Sequence, residues 1–271
     1  VKGRPARVRN VGLKHAQGDF ITFMDADDVY YPEGLKKLLL PLTEYPFYEA
    51  SMAFPYYHDK DLKPLHISEH LCVDQQGEYV LNPKFQLDWY DICAQKWSFF
   101  LCCTMFRRHV IQTLGELDEE LSTSDDFKYH VQLFGLVGFD KVRVIPDCTY
   151  QYRNYAGSIT KRPERLYQKR LDHYRVVQWM FQQPFIPQQF RYLEPWNISG
   201  RLATIVSTLC KMNRRDLAKK MMAQTFYDPE IPFLVWIQCF WKTLIRSNVP
   251  YWVEKFYMRN ISPDGGRYFQ T

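Results

Sequence analysis

Small and apolar residues recur at helical spacing near the start of the chain. Ala6, Val8, Val11, Gly12 and Ala16 can share one side of a helix, and Gly18 is a natural stop. "FITFM", residues 20–24, then runs apolar without alternation, the pattern of a strand covered on both faces. Three carboxylates follow, Asp25, Asp27 and Asp28, and Pro32 and Glu33 open a second helix over "PEGLKKLLLPL". Helix, buried strand, acidic loop and helix is the order of an α/β protein. "EASMAFPYY" and "CCTMF" read as further strands, and "RRHVIQTLGELDEEL" as a short helix with a glycine-containing exit. In "STSDDFKYHVQLFGLVG", Phe127, Val131 and Phe134 fall at i, i+4 and i+7, which predicts a helix with Ser124 as N-cap and Asp125 and Asp126 in its first turn. "KVRVIPDCTYQYR" supplies one or two strands. Beyond about Pro163 long helical periods take over, broken by Pro184, Pro187, Pro195, Pro232 and Pro250, so an α/β domain over 1–162 and a helical region over 163–271 are expected.

Composition changes this picture little. At 46% hydrophobic and 24% charged residues the chain is globular rather than disordered. Its 17% aromatic content fits either dense packing or a sugar- or membrane-facing surface. A net charge of +5 without a basic block argues against nucleic acid and suits an anionic small ligand or an acidic membrane surface. The seven cysteines form no C-x-x-C pair and read as buried thiols of a reducing compartment. No apolar run resembles a signal peptide or approaches the length of a spanning helix. The chain opens without Met and reaches its first strand only at Phe20, as the interior of a longer protein would.

The acids carry the candidate chemistry. In an extended segment Asp25 and Asp27 would point the same way across small Ala26, forming a hard-oxygen site for Mg²⁺ or Mn²⁺ with room for phosphate oxygens. Such an ion neutralises a diphosphate leaving group. Asp28 would turn elsewhere, toward the amides of the next helix. The same stretch also reads as a solvated turn before a helix. An EF-hand fails, because positions six and twelve from Asp25 are Tyr30 and Lys36 rather than Gly and Glu. A haloacid-dehalogenase-type phosphatase, with Asp25 as nucleophile, matches "ITFMDADDV" literally. Asp125 and Asp126 are acids at a helix start, where the macrodipole alone favours them, yet that is also where a general base would be wanted.

"RPARVRNVGLKHAQGDFITFMDADDVYYPEGL", "LGELDEELSTSDDFKYHVQL" and "YQYRNYAGSIT" together resemble the conserved blocks of family 2 glycosyltransferases, inverting enzymes of the GT-A fold that include bacterial polysaccharide glycosyltransferases. The resemblance spans about residues 2–160. It implies a Rossmann-like, mostly parallel sheet flanked by helices, with a helical region after it. It also implies hexosyl transfer from a nucleotide-diphosphate sugar to a glycan or lipid-linked acceptor, in cell-envelope polysaccharide or glycan synthesis. Asp25 and Asp27 would be the D-x-D that holds Mg²⁺ or Mn²⁺ and the nucleotide sugar. Arg9 and Asn10 would frame the nucleotide pocket, Arg153 and Ser158 would contact the diphosphate or acceptor, and Asp126, with Asp125 beside it, would be the catalytic base. Family members begin with a strand, a helix and a second strand that this chain lacks, so the fold is expected to be incomplete at its N-terminus and the chain poorly active.

The apolar, aromatic stretch "IPFLVWIQCFWKTLIRSNVPYWVEKFYMRN" has two readings, a helix pair lying on the inner face of an anionic cell membrane or a helical subdomain packed on the catalytic domain. The implied setting is cytoplasmic, with peripheral membrane contact in the first reading. A protein that binds sugar nucleotides without turning them over is the alternative from outside enzymology.

Overall fold

The computed structural model describes residues 4–155 and 163–226. Its first helix, α1 (Pro5–His15), begins with proline at the position where an amide hydrogen is not needed and ends with Lys14 and His15 beside its carbonyl end. The buried positions are Ala6 and Asn10, while Val8 is 67% and Val11 55% exposed. The helix therefore lies with its valines outward, opposite to the expected apolar side. Its inward side is polar because Arg9 and Asn10 have partners inside.

Strand β1 (Phe20–Thr22) is shorter than the apolar run that predicts it. The chain then turns: the Asp28 amide donates to the Asp25 carbonyl at 3.2 Å, so residues 25–28 form a turn rather than the extended segment expected. After β2 (Val29–Tyr30), helix α2 (Gly34–Glu44) buries Leu38 and Leu42 against Ala53 and Met105. Strand β3 (Ala50–His58) is the buried centre of the sheet.

Residues 59–100 carry no periodic signal. This segment folds as short pieces: β4 (Pro64–Ile67), the hairpin of β5 (Leu71–Val73) and β6 (Tyr79–Leu81), and α3 (Trp89–Cys93). Aromatic rings hold it together. His70 lies 4.5 Å from Trp97, 4.4 Å from Phe85 and stacked 5.7 Å from Phe54. Burial lowers its pKa to about 4, so it packs as a neutral ring.

The remaining elements of this part are β7 (Thr104–Arg107), α4 (Arg108–Leu114), α5 (Asp125–Val137), β8 (Val142–Arg153) and α6 (Pro163–Phe181). The sheet order is β1-β7-β3-β8-β2, with β4 added beside β3. β3 and β8 pair in parallel; β7 is antiparallel to both β1 and β3. β1, β3 and β8 thus run the same way, and β2, β4 and β7 run against them. Helix α5 buries Phe127, Val131 and Phe134 as its periodicity predicts. Ser124 does not cap it: the residue adopts φ 64°, ψ 13° and makes no side-chain bond to the helix amides.

The chain divides into two compact units, Val1–Ile198 and Ser199–Thr271. Helix α6 lies in the first. In the second, the later turns of α7 (Glu194–Lys211) bury Leu202, Ile205, Val206 and Leu209, and α8 (Arg215–Phe226) buries Ala218. The stretch read as a membrane or subdomain helix pair lies outside the described residues. Among the described residues no helix is long and apolar enough to cross a membrane, and the six cysteines are free thiols.

Gly34 lets α2 approach β8. A methyl group there would stand 2.3 Å from the Thr149 carbonyl oxygen, which already accepts from the Tyr31 amide. Backbone cannot yield as a flexible side chain would, so Gly34→Ala is expected to destabilise the protein by about 2–3 kcal/mol in denaturant titration.

Candidate functional site

The site is assembled by one guanidinium. Arg9 Nη2 donates to Asp25 Oδ1 at 2.8 Å, and Arg9 Nη1 donates to Asp125 Oδ2 at 2.6 Å. One residue of α1 thereby joins the turn after β1 to the first turn of α5. The Arg9 side chain is 16% exposed and that of Asp125 4%, so their charge-assisted bond lies in a poorly solvated place, while Asp25 at the other edge is 39% exposed. Burial opposes the charge on Arg9, but Asp125, Asp25 and Asp126 outweigh it and hold the proton more firmly than usual.

Asp126 stands beside the pair. Its carboxylate accepts from the Phe127 amide at 2.8 Å. Its pKa is pushed up from 3.8 to about 7, first by burial and then by the neighbouring Asp125, with Arg9 pulling the other way. Below the residue, its carbonyl accepts from His130 Nδ1 at 2.8 Å, and His130 Nε2 lies 2.8 Å from Thr104 Oγ1. Burial lowers the His130 pKa to about 4, so the ring is neutral. A carbonyl can only accept, so the ring hydrogen sits on Nδ1 and Nε2 accepts from the threonine. The ring also stacks 4.8 Å from Phe99, which fixes the second turn of α5.

The Asp25–Asp28 turn is held from β8. The Asp25 amide donates to the Tyr150 hydroxyl at 3.1 Å, and Asp28 Oδ1 accepts from the Arg153 amide at 2.7 Å. Asp28 is buried, and burial raises its pKa to about 6. It serves the strand end, not the amides of α2 as expected. Tyr30 completes the support, its hydroxyl reaching the carbonyls of Phe23 and Cys102.

Of the residues predicted from sequence, Arg9, Asp25, Asp125 and Asp126 come together. Asp27 is exposed on the same turn. Arg153 joins the turn through its backbone amide. Asn10 is buried and engaged within the protein: its Nδ2 donates to the Leu117 carbonyl at 2.9 Å and to Glu119 Oε1 at 3.0 Å, and its Oδ1 accepts from the Leu117 amide at 2.8 Å. It bolts α1 to the segment before α5. Ser158 lies outside the described residues. Sequence reasoning assigned no role to Tyr150, although it opens the "YQYRNYAGSIT" block, or to His130, which carries no motif within α5.

Among the described residues no three of His, Cys, Asp or Glu draw close enough to hold a metal alone. Two carboxylates on one turn, one of them exposed, are nonetheless the donor set for a hard divalent cation that takes its other ligands from phosphate and water.

Residues 2–115 match the family model described as glycosyl transferase family 2. That stretch, less than half of the chain, is similar to family 2 of the glycosyltransferases. The mixed α/β fold is the one that family's GT-A members are expected to have. An uncharacterized glycosyltransferase of Haemophilus influenzae is 54% identical over 35 residues, 13% of this chain and 14% of that protein. Among solved structures, S. aureus TarS superposes with a TM-score of 0.47 at 15% identity, covering 76% of this chain and 31% of that one. The mannosyltransferase PcManGT from Pyrobaculum calidifontis, solved with GDP-Man and Mn²⁺, gives 0.44 at 15% identity, covering 89% and 66%. The chain thus spans less than two thirds of each of these relatives.

Two stability measurements check the electrostatics. Removing the guanidinium in Arg9→Gln leaves Asp125 without a cation beside Asp126, and a loss of about 3 kcal/mol is expected at pH 8 and a smaller loss at pH 5, where the acids can take up protons. For Asp126 the folded pKa is raised, so its contribution is fully present below about 4 and is lost as pH rises through about 7. Asp126→Asn should therefore be more stable than the parent at pH 8, on the order of 2 kcal/mol, and lose the advantage at pH 4.

Proposed function

We propose that this family 2 domain is an inverting glycosyltransferase. The observation that supports the reading is the Arg9 bridge, which brings the Asp25–Asp28 turn, suited to a diphosphate, to the helix start carrying Asp126. An acceptor hydroxyl gives its proton to Asp126 as its oxygen forms a bond to the anomeric carbon of a nucleotide-diphosphate sugar. The bond from that carbon to the diphosphate oxygen breaks, and its electron pair leaves with the diphosphate. Attack opposite the leaving group inverts the centre. A base with a pKa of about 7 matches this task near neutrality, being largely deprotonated just above it while still basic enough to take the proton. Asp125, bound to Arg9, keeps the guanidinium in place and raises the basicity of its neighbour.

Asp25 and Asp27 would hold Mg²⁺ or Mn²⁺, whose chemistry is to neutralise charge on the departing diphosphate. In this reading residues 1–162 carry the groups that touch substrate, with Arg153 and Ser158 toward the diphosphate or acceptor. The partners are a nucleotide sugar and a glycan or lipid-linked acceptor of envelope or glycan synthesis, and the setting is the cytoplasmic side of a membrane. A phosphatase using Asp25 as nucleophile is disfavoured by the engagement of that carboxylate with Arg9.

Nucleotide sugars are screened with Mn²⁺ and mixed acceptors on the full-length gene product, reading released nucleoside diphosphate. At least one donor should turn over, with kcat rising with pH through about 7 as Asp126 loses its proton. Asp126→Asn should lower kcat by roughly 10³-fold while donor affinity stays within about threefold. Release of inorganic phosphate from simple monoesters, with every sugar nucleotide inert, would replace this reading by the phosphatase one.

A further inference from the structure

We infer that α6 belongs to the catalytic apparatus, with Asp172 and His173 as positioning residues that hold residues 122–124 in the conformation presenting Asp125 and Asp126. The purpose assigned to this brace rests on the transferase reading above; its existence rests on geometry alone.

Residues 122–124 lead directly into the two acids and have no regular structure of their own. Ser124 sits in the left-handed region, φ 64° and ψ 13°, which a residue other than glycine occupies only when its surroundings hold it there. The surroundings here are consecutive residues of one helix. Asp172 Oδ2 accepts from the Ser122 amide at 2.9 Å, from Ser122 Oγ at 2.6 Å and from the Thr123 amide at 3.3 Å. Asp172 Oδ1 accepts from Gln168 Nε2 at 2.6 Å. His173 Nδ1 lies 3.1 Å from Ser124 Oγ, its Nε2 lies 2.9 Å from Gln95 Oε1, and its ring centre is 5.4 Å from that of Phe127.

Two adjacent side chains of α6 therefore address all three loop residues in turn. Asp172 is fully buried, and burying a carboxylate among neutral donors is unfavourable unless it secures several bonds at once. Helix docking alone is served more simply by apolar contact, as it is by Val176 and Val177 one turn further along the same helix, both buried. What the carboxylate adds is direction: it fixes two amides and a hydroxyl of a segment that would otherwise be free to move the base. A general base must be held to within a fraction of an ångström, so slack in this loop acts on turnover rather than on donor binding.

The test uses the whole chain and three variants, Asp172→Asn, His173→Gln and, as a control on the exposed side of α6, Lys169→Ala. Hydrogen exchange is followed at the amides of residues 122–126, and kcat and KM are measured with the donor found in the screen, per folded molecule. In Asp172→Asn the Ser122 and Thr123 amides should exchange at least 30-fold faster while those of β3 are unchanged. Its kcat should fall at least tenfold with donor KM within threefold, His173→Gln should show the same pattern more weakly, and Lys169→Ala should match the parent. If Asp172→Asn does not fold, His173→Gln and Ser122→Ala carry the same readouts. Unchanged amides, or loosened amides with parental kcat, would overturn the inference. A parent inert toward every donor counts against the transferase reading instead; the exchange measurement then decides the brace by itself, faster amides upholding it and unchanged ones removing it.

Discussion

Three carboxylates from two distant segments, Asp25, Asp125 and Asp126, share one region of this molecule, and the Arg9 guanidinium is what permits it. Like charges a few ångströms apart in a poorly solvated place repel by several kcal/mol, and a single planar cation with two donating edges offsets that repulsion at both places. The fold is arranged around this requirement. Asn10, the next residue, fixes the segment before α5 through three bonds, so neighbouring side chains of α1 locate both the acids and the backbone that delivers them. A lysine at position 9 could serve one partner but not both in the same plane.

The sheet answers from the other side. The parallel run of β3 and β8 carries Tyr150 and Arg153 to the end of the sheet, where a hydroxyl and an amide take hold of the Asp25–Asp28 turn. Asp28 thus serves the scaffold, which leaves Asp25, bound to Arg9, and the exposed Asp27 as the acids of the turn not tied to the strand end. The order of strands explains why such a turn is stable although it ends a strand of only three residues: its anchors belong to the longest strand among the described residues.

Much of this was legible in the sequence, and the reasons for the rest are specific. Phe127, Val131 and Phe134 disclosed α5 because their burial follows helical spacing. The strand read in "EASMAFPYY" appears as β3, and the helix read in "PEGLKKLLLPL" appears as α2, starting at Gly34 just after Pro32 and Glu33. The orientation of α1 was misread because periodicity assumes that apolar residues face inward, whereas here two polar side chains have the stronger claim. Spacing alone does not distinguish a turn from a strand end, and of the two readings of Asp25 and Asp27 the turn is the one found. Ser124 looked like a helix cap by type, but its hydroxyl is engaged by His173 from a helix whose own sequence carries no motif. Residues 59–100 gave no signal because strands of three or four residues carry too little alternation to read, and their order comes from ring contacts between distant positions.

The exposed valines of α1 follow from the same polar pair. Successive residues of a helix are about 100° apart around its axis, so Arg9 and Asn10, bound to different partners, fix not only where α1 lies but how far it is turned about that axis. Positions 8 and 11 then fall on the far side whatever residues occupy them. In this domain the rotation of a helix is set by where an ion and an amide must reach, and the apolar surface it shows outward is the geometrical remainder of that choice.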